Sequence, residues 1–370
     1  MPDRPTATAA GTTTGSTAAD PGTATDSATD SATAAGPDPC ADRGTATAIA
    51  AGTTTDSTAA GPGTATDSAT AAGSDPCADR GTATGADAGT VVLTSRADVE
   101  AVLASPAMLT PPPPAALGAG SLARLRAAMA RFTDGDAHPP RRAAVEAAVD
   151  RLVPAEVGAV ARAATLARLT GGPVDALAAV AFTVPTAALG LALGVPGGEI
   201  DALVADVRQI VAVIGRGEPA TPAADGAADR VLARFAGHPA GAVPVASLLY
   251  QNHDATAALT VATVVARHHG VPRRPALART VRIAARGAHL GGTAVAAGAT
   301  VVLDLDAAGL EFGAGRHRCP GRAVAEAVAG AIADALAEAG YRLLPDLVEH
   351  APDGRPRTLP MAPEGVARRT

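Results

Sequence analysis

The 370-residue chain has no lysine and no tryptophan, only two tyrosines and four phenylalanines, and three cysteines. Its 30 basic residues are therefore all arginine, set against 36 acids for a net charge of −6. That mildly acidic balance excludes the broad basic face that nucleic-acid binding needs, so no such partner is expected. With Cys40 and Cys77 in a low-complexity leader and Cys319 alone near the C-terminus, no disulfide framework can hold the fold. No charged-then-apolar leader follows Met1, so a cytoplasmic location is expected. One uncharged stretch, Ala176 to Gly198, is long enough to cross a bilayer. Pro185, Gly190 and Gly194 break it, and it reads as buried helices, with no membrane span expected.

Residues 1–88 are almost entirely Ala, Thr, Gly, Asp, Ser and Pro and cannot bury enough apolar surface to offset chain entropy. They read as a disordered arm. The arm carries an internal duplication: DPCADRGTAT runs from Asp38 to Thr47 and again from Asp75 to Thr84, and PGTATDSAT begins at Pro21 and at Pro62. Cys40 and Cys77 are copies of one residue in this duplication, with no second ligand at metal-binding spacing.

Residues 89–370 form the foldable domain, which is expected to be mainly α with a small β region. A β-prone run, Val91 to Leu93, is followed by Ser95 and Asp98 in a capping-box spacing that starts a helix. Past the break at Pro111 to Pro114, apolar periodicity predicts helices at 119–132, 139–152, 155–169, 173–193, 198–214, 223–236, 244–268 and 321–339. The Val, Ile and Thr runs from Ala276 to Asp304, with a turn at Leu290-Gly291-Gly292, predict the β region.

The chemistry concentrates in Phe312-Gly313-Ala314-Gly315-Arg316-His317-Arg318-Cys319-Pro320-Gly321, which leads into the last long helix. A dinucleotide loop would need a third glycine where Arg318 stands. A zinc site would need more ligands than His317 and Cys319. A haem-thiolate loop suits the residues better, because the sulfur must be ionised, sheltered from water and free of competing ligands. With Cys319 at the N-cap and Pro320 at the first helical position, the amides of Gly321 and Arg322 and the helix dipole would favour the thiolate. Gly315 and Gly321 allow the backbone to approach a flat macrocycle, and Phe312 can cover the sulfur.

On these residues the chain resembles the cytochrome P450 family, whose signature is Phe-x-x-Gly-x-x-x-Cys-x-Gly, often with a His two residues before the Cys. At this chain's own residue frequencies an accidental match arises in about one of 2,500 such sequences. The resemblance implies haem b (iron protoporphyrin IX) held by Cys319, with Phe312, Gly315, His317 and Gly321 around it. It extends to Asp134-Gly135-Asp136-Ala137-His138-Pro139-Pro140-Arg141-Arg142, where His138 and Arg142 share a helix face and would contact haem propionates. Arg282, which precedes Ile283-Ala284, is a third propionate contact by the same resemblance. The similarity runs from about residue 90 to the C-terminus, and it implies a P450-like fold.

The pattern is broken in two places. The distal helix, which should carry Ala-Gly-x-Asp/Glu-Thr, has Gln251-Asn252-His253-Asp254-Ala255-Thr256. Proton delivery would then run through Asp254, Thr256, Asn252 or water. The Glu-x-x-Arg pair that braces the haem side of the family's fold should fall on His269-Gly270-Val271-Pro272, which holds neither charge, and the meander before the haem loop is absent.

The resemblance thus implies a monooxygenase that inserts one oxygen atom into a small organic substrate, with electrons from a separate ferredoxin and ferredoxin reductase. Arg316, Arg318 and Arg322 form a basic stretch suited to an acidic ferredoxin. Two alternatives follow from the broken positions: a haem-thiolate protein that uses peroxide, rearranges a substrate or senses a ligand, and a degenerate scaffold that binds a partner.

Overall fold

The computed structural model describes residues 89–290, 292–350 and 356–367. The arm at 1–88, with its duplication and Cys40 and Cys77, lies outside the described residues, as does Gly291 of the expected turn.

Strand β1 (Thr90–Leu93) leads into helix α1 (Arg96–Ala104). The Ser95 hydroxyl caps α1 by accepting the Asp98 N–H at 3.2 Å, as the capping-box spacing predicts. Strand β2 (Met108–Leu109), helix α2 (Ser121–Ala128) and helix α3 (His138–Val149) follow. Helix α2 ends earlier than the expected 132, because Met129 turns extended at ψ 133° and short 3-10 turns carry the chain to α3. Pro139 sits in the first turn of α3 and Pro154 opens helix α4 (Pro154–Leu166), where a missing N–H costs nothing.

The expected single helix at 173–193 is three pieces. Strand β3 (Val174–Asp175) is followed by a π-helical turn at Leu177–Ala181 and then by helix α5 (Val184–Ala192). Pro185 cannot donate to the preceding turn, which separates the last two pieces. Helix α5 is almost wholly buried, and no helix among the described residues is long and apolar enough to cross a membrane.

Helix α6 (Ile200–Arg216) buries Leu203, Val207, Ile210 and Ile214 on one face and ends at Gly217 with φ 77°, a left-handed cap that glycine supplies without strain. Helix α7 (Pro222–Arg234) is capped by the Thr221 hydroxyl, and the 28-residue helix α8 (Ala242–His269) runs through the middle of the core. Then come β4 (Arg279–Ala284), β5 (Ala288–Leu290), β6 (Thr293–Val295) and β7 (Thr300–Asp304), the β region the residue pattern predicts. Helix α9 (Arg322–Glu338), β8 (Tyr341–Leu343), β9 (Pro360–Pro363) and the short helix α10 (Glu364–Ala367) complete the chain.

The strands make a four-stranded sheet in the order β1-β7-β4-β2, a three-stranded sheet β3-β9-β8 and the hairpin β5-β6. Strand β1 is parallel to β7 with Val91 opposite Val301, while β4 is antiparallel to β7 with Arg282 opposite Val301. Two apolar clusters result. One joins the helices through residues such as Leu203, Leu249 and Ile332. The other joins α1 to the four-stranded sheet through Val99, Leu103, Val301 and Leu303, with Ala314 of the cysteine loop packed on it.

Candidate functional site

The segment Leu310 to Gly321 closes on itself through its own backbone. The Gly313 N–H donates to Leu310 O at 2.7 Å, the Arg318 N–H to Gly315 O at 3.2 Å, and the Cys319 N–H to Phe312 O at 2.9 Å. Gly315 has φ 61°, and a Cβ there would lie 2.8 Å from Leu103 O, so only glycine lets this loop sit on α1. The Arg322 guanidinium lies over the Phe312 ring at 4.7 Å. Cys319 is half-buried. Burial raises its thiol above the ordinary value, opposed by the Gly321 N–H, which donates to the sulfur. Helix α9 itself begins later than expected, with Gly321 as its N-cap, because Gly321 at ψ 20° does not continue helical geometry.

Residues far apart in sequence meet beside this loop. The rings of His138, at the start of α3, and His317, in the loop, are 4.5 Å apart and tilted by 54°. Arg282 of β4 is 7% exposed, with its Nη1 on Val281 O at 2.8 Å. Asp134 is the carboxylate among them, accepting the Thr110 N–H and hydroxyl at 2.7 Å each and Arg316 Nη2 at 3.1 Å, with His317 Nε2 at 3.5 Å.

The charges here are desolvated and mostly of one sign. Burial, then Arg282 and His138, holds His317 down at about 4 against an ordinary 6.5. Burial, then Arg131, pulls Arg282 down to about 10, and burial with Arg316 and Arg142 lowers His138. Burial works to raise Asp134, but the Thr110 hydrogen bonds, Arg316 and His317 outweigh it and hold the carboxyl below its usual range. His317 Nε2 and Arg316 Nε are buried without a hydrogen-bond partner. Buried polar atoms are normally paired, so this cluster has the charge and the spare donors to receive anionic oxygen atoms.

Arg142 is placed differently from His138. Its Nε pairs with Glu146 at 2.7 Å and its Nη1 donates to Arg318 O at 2.6 Å, so it holds the backbone just before Cys319. Arg316 corrects the expected basic surface stretch: its side chain is turned inward on Asp134, Ser105 O and Met108 O. Arg318 stays exposed and Arg322 pairs with Glu326 at the surface. Asp134 stood in the motif before α3 and Arg316 in the basic stretch, but neither had a site role assigned from sequence that pairs them, though an Asp-Gly turn four residues before His138 was a visible signal.

The distal candidates divide between two sides of α8. Thr256 Oγ1 donates to Asn252 Oδ1 at 2.9 Å, and Asn252 Nδ2 is buried without a partner. Asp254 is on another side, half exposed and paired with Arg216 of α6 at 3.2 Å. Between them, His253 is 1% exposed, its Nδ1 3.2 Å from Thr186 Oγ1 and its ring stacked on Phe182 at 5.6 Å. Among the described residues no group of three or more His, Cys, Asp and Glu side chains is arranged to hold a metal ion. Cys319 as a single sulfur ligand, deprotonated on binding a metal, with the cationic cluster for carboxylates, is a donor set that would fit haem.

No protein-family model and no curated protein matches the chain. Solved structures do. P450BioI, crystallised in complex with an acyl carrier protein ligated to hexadec-9Z-enoic acid, superposes with TM-score 0.58 at 17% identity, over 73% of this chain and 91% of that one. CalO2 gives 0.58 at 20% identity, over 73% and 90%. The ligand-free P450 monooxygenase TamI gives 0.56 at 21% identity, over 73% and 83%. The chain has the cytochrome P450 fold.

Proposed function

We propose, with the cytochrome P450 fold as premise, that the chain is a haem-thiolate monooxygenase that inserts one oxygen atom into a small organic substrate. One juxtaposition carries this reading: Cys319, with the Gly321 N–H on its sulfur, stands two residues from His317 in a desolvated cationic cluster with unpaired donors. Cys319 would ligate the iron of haem b, and His138, Arg282 and His317 would take the carboxylates. Bound there, the haem supplies dioxygen activation with two electrons, drawn from a separate ferredoxin and its reductase in the cytoplasm.

The protein's own groups do the rest. The closed backbone of the loop fixes Cys319 through the Phe312 carbonyl, and the Phe312 ring, under the Arg322 guanidinium, would cover the sulfur side. The Thr256 hydroxyl, committed to Asn252 Oδ1, fixes the amide so that Asn252 Nδ2 can donate to an oxygen on that side of α8. Asp254 is half exposed, and its Oδ1 lies 3.8 Å from His253 Nε2. The purified protein, reduced and exposed to CO, should give the red-shifted Soret band of a thiolate ligand, lost in Cys319→Ser. A protein that takes up no haem would overturn the reading in favour of a partner-binding scaffold.

A second reading, a haem-thiolate enzyme driven by peroxide, is favoured by one observation. Asp254 is held by Arg216 away from the Asn252 and Thr256 pair, and Ala255 stands where a hydroxyl relay would begin. Turnover with hydrogen peroxide but not with an electron-transfer chain would establish it.

A further inference from the structure

The cysteine loop has an anchor that neither the loop motif nor the cationic cluster accounts for. Glu311 immediately precedes Phe312, and its carboxylate takes both Nη atoms of Arg273, with Nη2 at 2.7 Å from Oε2. Oε1, the partner of Arg273 Nη1, also accepts the Ala276 N–H at 2.9 Å. Both side chains are mostly covered, Arg273 at 27% and Glu311 at 16% exposure. A two-pronged guanidinium–carboxylate contact of this kind constrains orientation as well as distance.

What it ties together matters more than its strength. Arg273 lies between the end of α8, capped by Gly270, and the start of β4. This linker is otherwise thinly held, with Val271 52% and Leu277 42% exposed. Glu311 lies one residue from the Phe312 carbonyl that receives the Cys319 N–H. The pair therefore sets the distance between the end of the long central helix and the backbone that aims the sulfur. Arg273 directly follows His269-Gly270-Val271-Pro272, the stretch that lacks both charges of the Glu-x-x-Arg pair. Burial works against the charged forms, yet the bidentate contact holds Glu311 below and Arg273 above their ordinary values, so both are ionised at neutral pH.

We propose that Arg273 and Glu311 are the positioning pair that orients the Cys319 loop, a substitute built from this chain's own linker for the missing brace. The proposal builds on the haem-thiolate reading, but its primary test does not need haem. In a Cys40→Ser, Cys77→Ser background the Cys319 thiol is the sole target for maleimide, and its reaction rate in the haem-free, full-length protein reports loop opening. Arg273→Ala and Glu311→Gln should each raise that rate about tenfold, the effect of an opening made easier by about 1.4 kcal/mol. Arg273→Lys, which keeps the charge but not the fork, should recover only part of the protection. The double variant should react no faster than either single one.

Arg279→Ala, which breaks the surface pair with Asp304, is the control and should leave the rate unchanged. In haem-loaded protein the same two substitutions should convert the red-shifted reduced-CO band toward the unshifted form. If Arg273→Ala does not fold by circular dichroism, the isosteric Glu311→Gln decides. Wild-type thiol protection in folded Glu311→Gln would overturn the positioning role even if haem binds normally. Raised reactivity in a protein that never takes up haem would sustain the brace while ending the haem-thiolate reading.

Discussion

His253 should make the protein acid-sensitive by an amount that one substitution removes. The ring is fully enclosed on α8, and burial holds its pKa at about 4 against an ordinary 6.5, with Asp254 of α8 raising it and Arg216 and Arg208 of α6 lowering it. In the folded protein His253 thus stays neutral where the unfolded chain takes up a proton. Stability is fully present above pH 6.5, falls as the pH drops through the window to 4, and levels off below it. Integrated between these two values, the loss at pH 5 is about 2 kcal/mol. Urea unfolding at about pH 7.5 and pH 5, on wild type and His253→Gln, measures it directly. Any fixed cost of the glutamine, including its changed contact with Thr186, appears at both pH values and cancels. His317 and the other histidines contribute equally to both proteins, so the difference in pH dependence belongs to His253. A pH dependence in His253→Gln equal to that of wild type would refute the reasoning, since it would mean that the ring is hydrated or protonated in the fold.

Three further outcomes are expected. Gly315→Ala should destabilise by about 2–3 kcal/mol in thermal unfolding, because it adds a left-handed penalty to a Cβ 2.8 Å from Leu103 O. Asp225 of α7 caps α2 by accepting the Leu122 N–H at 2.8 Å, and a Cβ on Gly120 would lie 2.1 Å from its carboxylate. Asp225→Ala and Gly120→Ala should each cost about 1 kcal/mol in urea unfolding, and the double variant no more than either, because both remove one cap. Arg282→Leu should weaken haem retention by tenfold or more in an apomyoglobin transfer assay while Arg279→Ala does not, since only Arg282 lies in the cationic cluster.

The sequence made the short-range features of the site legible and left the long-range ones hidden. Cys319, Gly315 and Phe312 sit in one loop, where spacing alone brings them together. The start of α1 was readable because a Ser95 cap and Asp98 act within one turn. His138, His317 and Arg282 could be grouped only through the family pattern, since three separate elements bring them within reach of one another. The direction of Arg316 had no local signal: nothing in its neighbours says that Asp134, 182 residues earlier, would draw it inward. The same holds for Arg273 and Glu311, which are 38 residues apart and close a loop that exists only once α8 and β4 are in place. Along α8 the residue types could be read but not their sides, and the structure sets Asp254 on Arg216, apart from Asn252 and Thr256. At 173–193 a mostly apolar run masked a strand, a π-helical turn and a short helix, because residues 184–190 are buried on every side and lack the periodicity that separates such elements.

The absence of lysine bears on why the cluster beside Cys319 calls for an anion. A buried lysine can shed its proton and become neutral, which relieves the cost of desolvation. An arginine cannot do so at neutral pH: burial pulls Arg282 only to about 10, so it keeps its charge. The two histidines do yield, His317 to about 4 and His138 downward, and so add little charge, while His317 contributes a buried ring nitrogen without a partner. Asp134 is hydrogen-bonded to Thr110 and Arg316 and acts on Arg282 only through space, while the hydrogen bonds of Arg282 go to the neutral Thr280 and Val281 oxygens. The fold therefore holds an arginine charge that deprotonation does not relieve and that Asp134 offsets only in part, since burial and Arg131 still pull Arg282 down, and a carboxylate-bearing ligand would stabilise it directly. A macrocycle held as proposed through Cys319 would meet that need if Arg282 and His317 took its carboxylates.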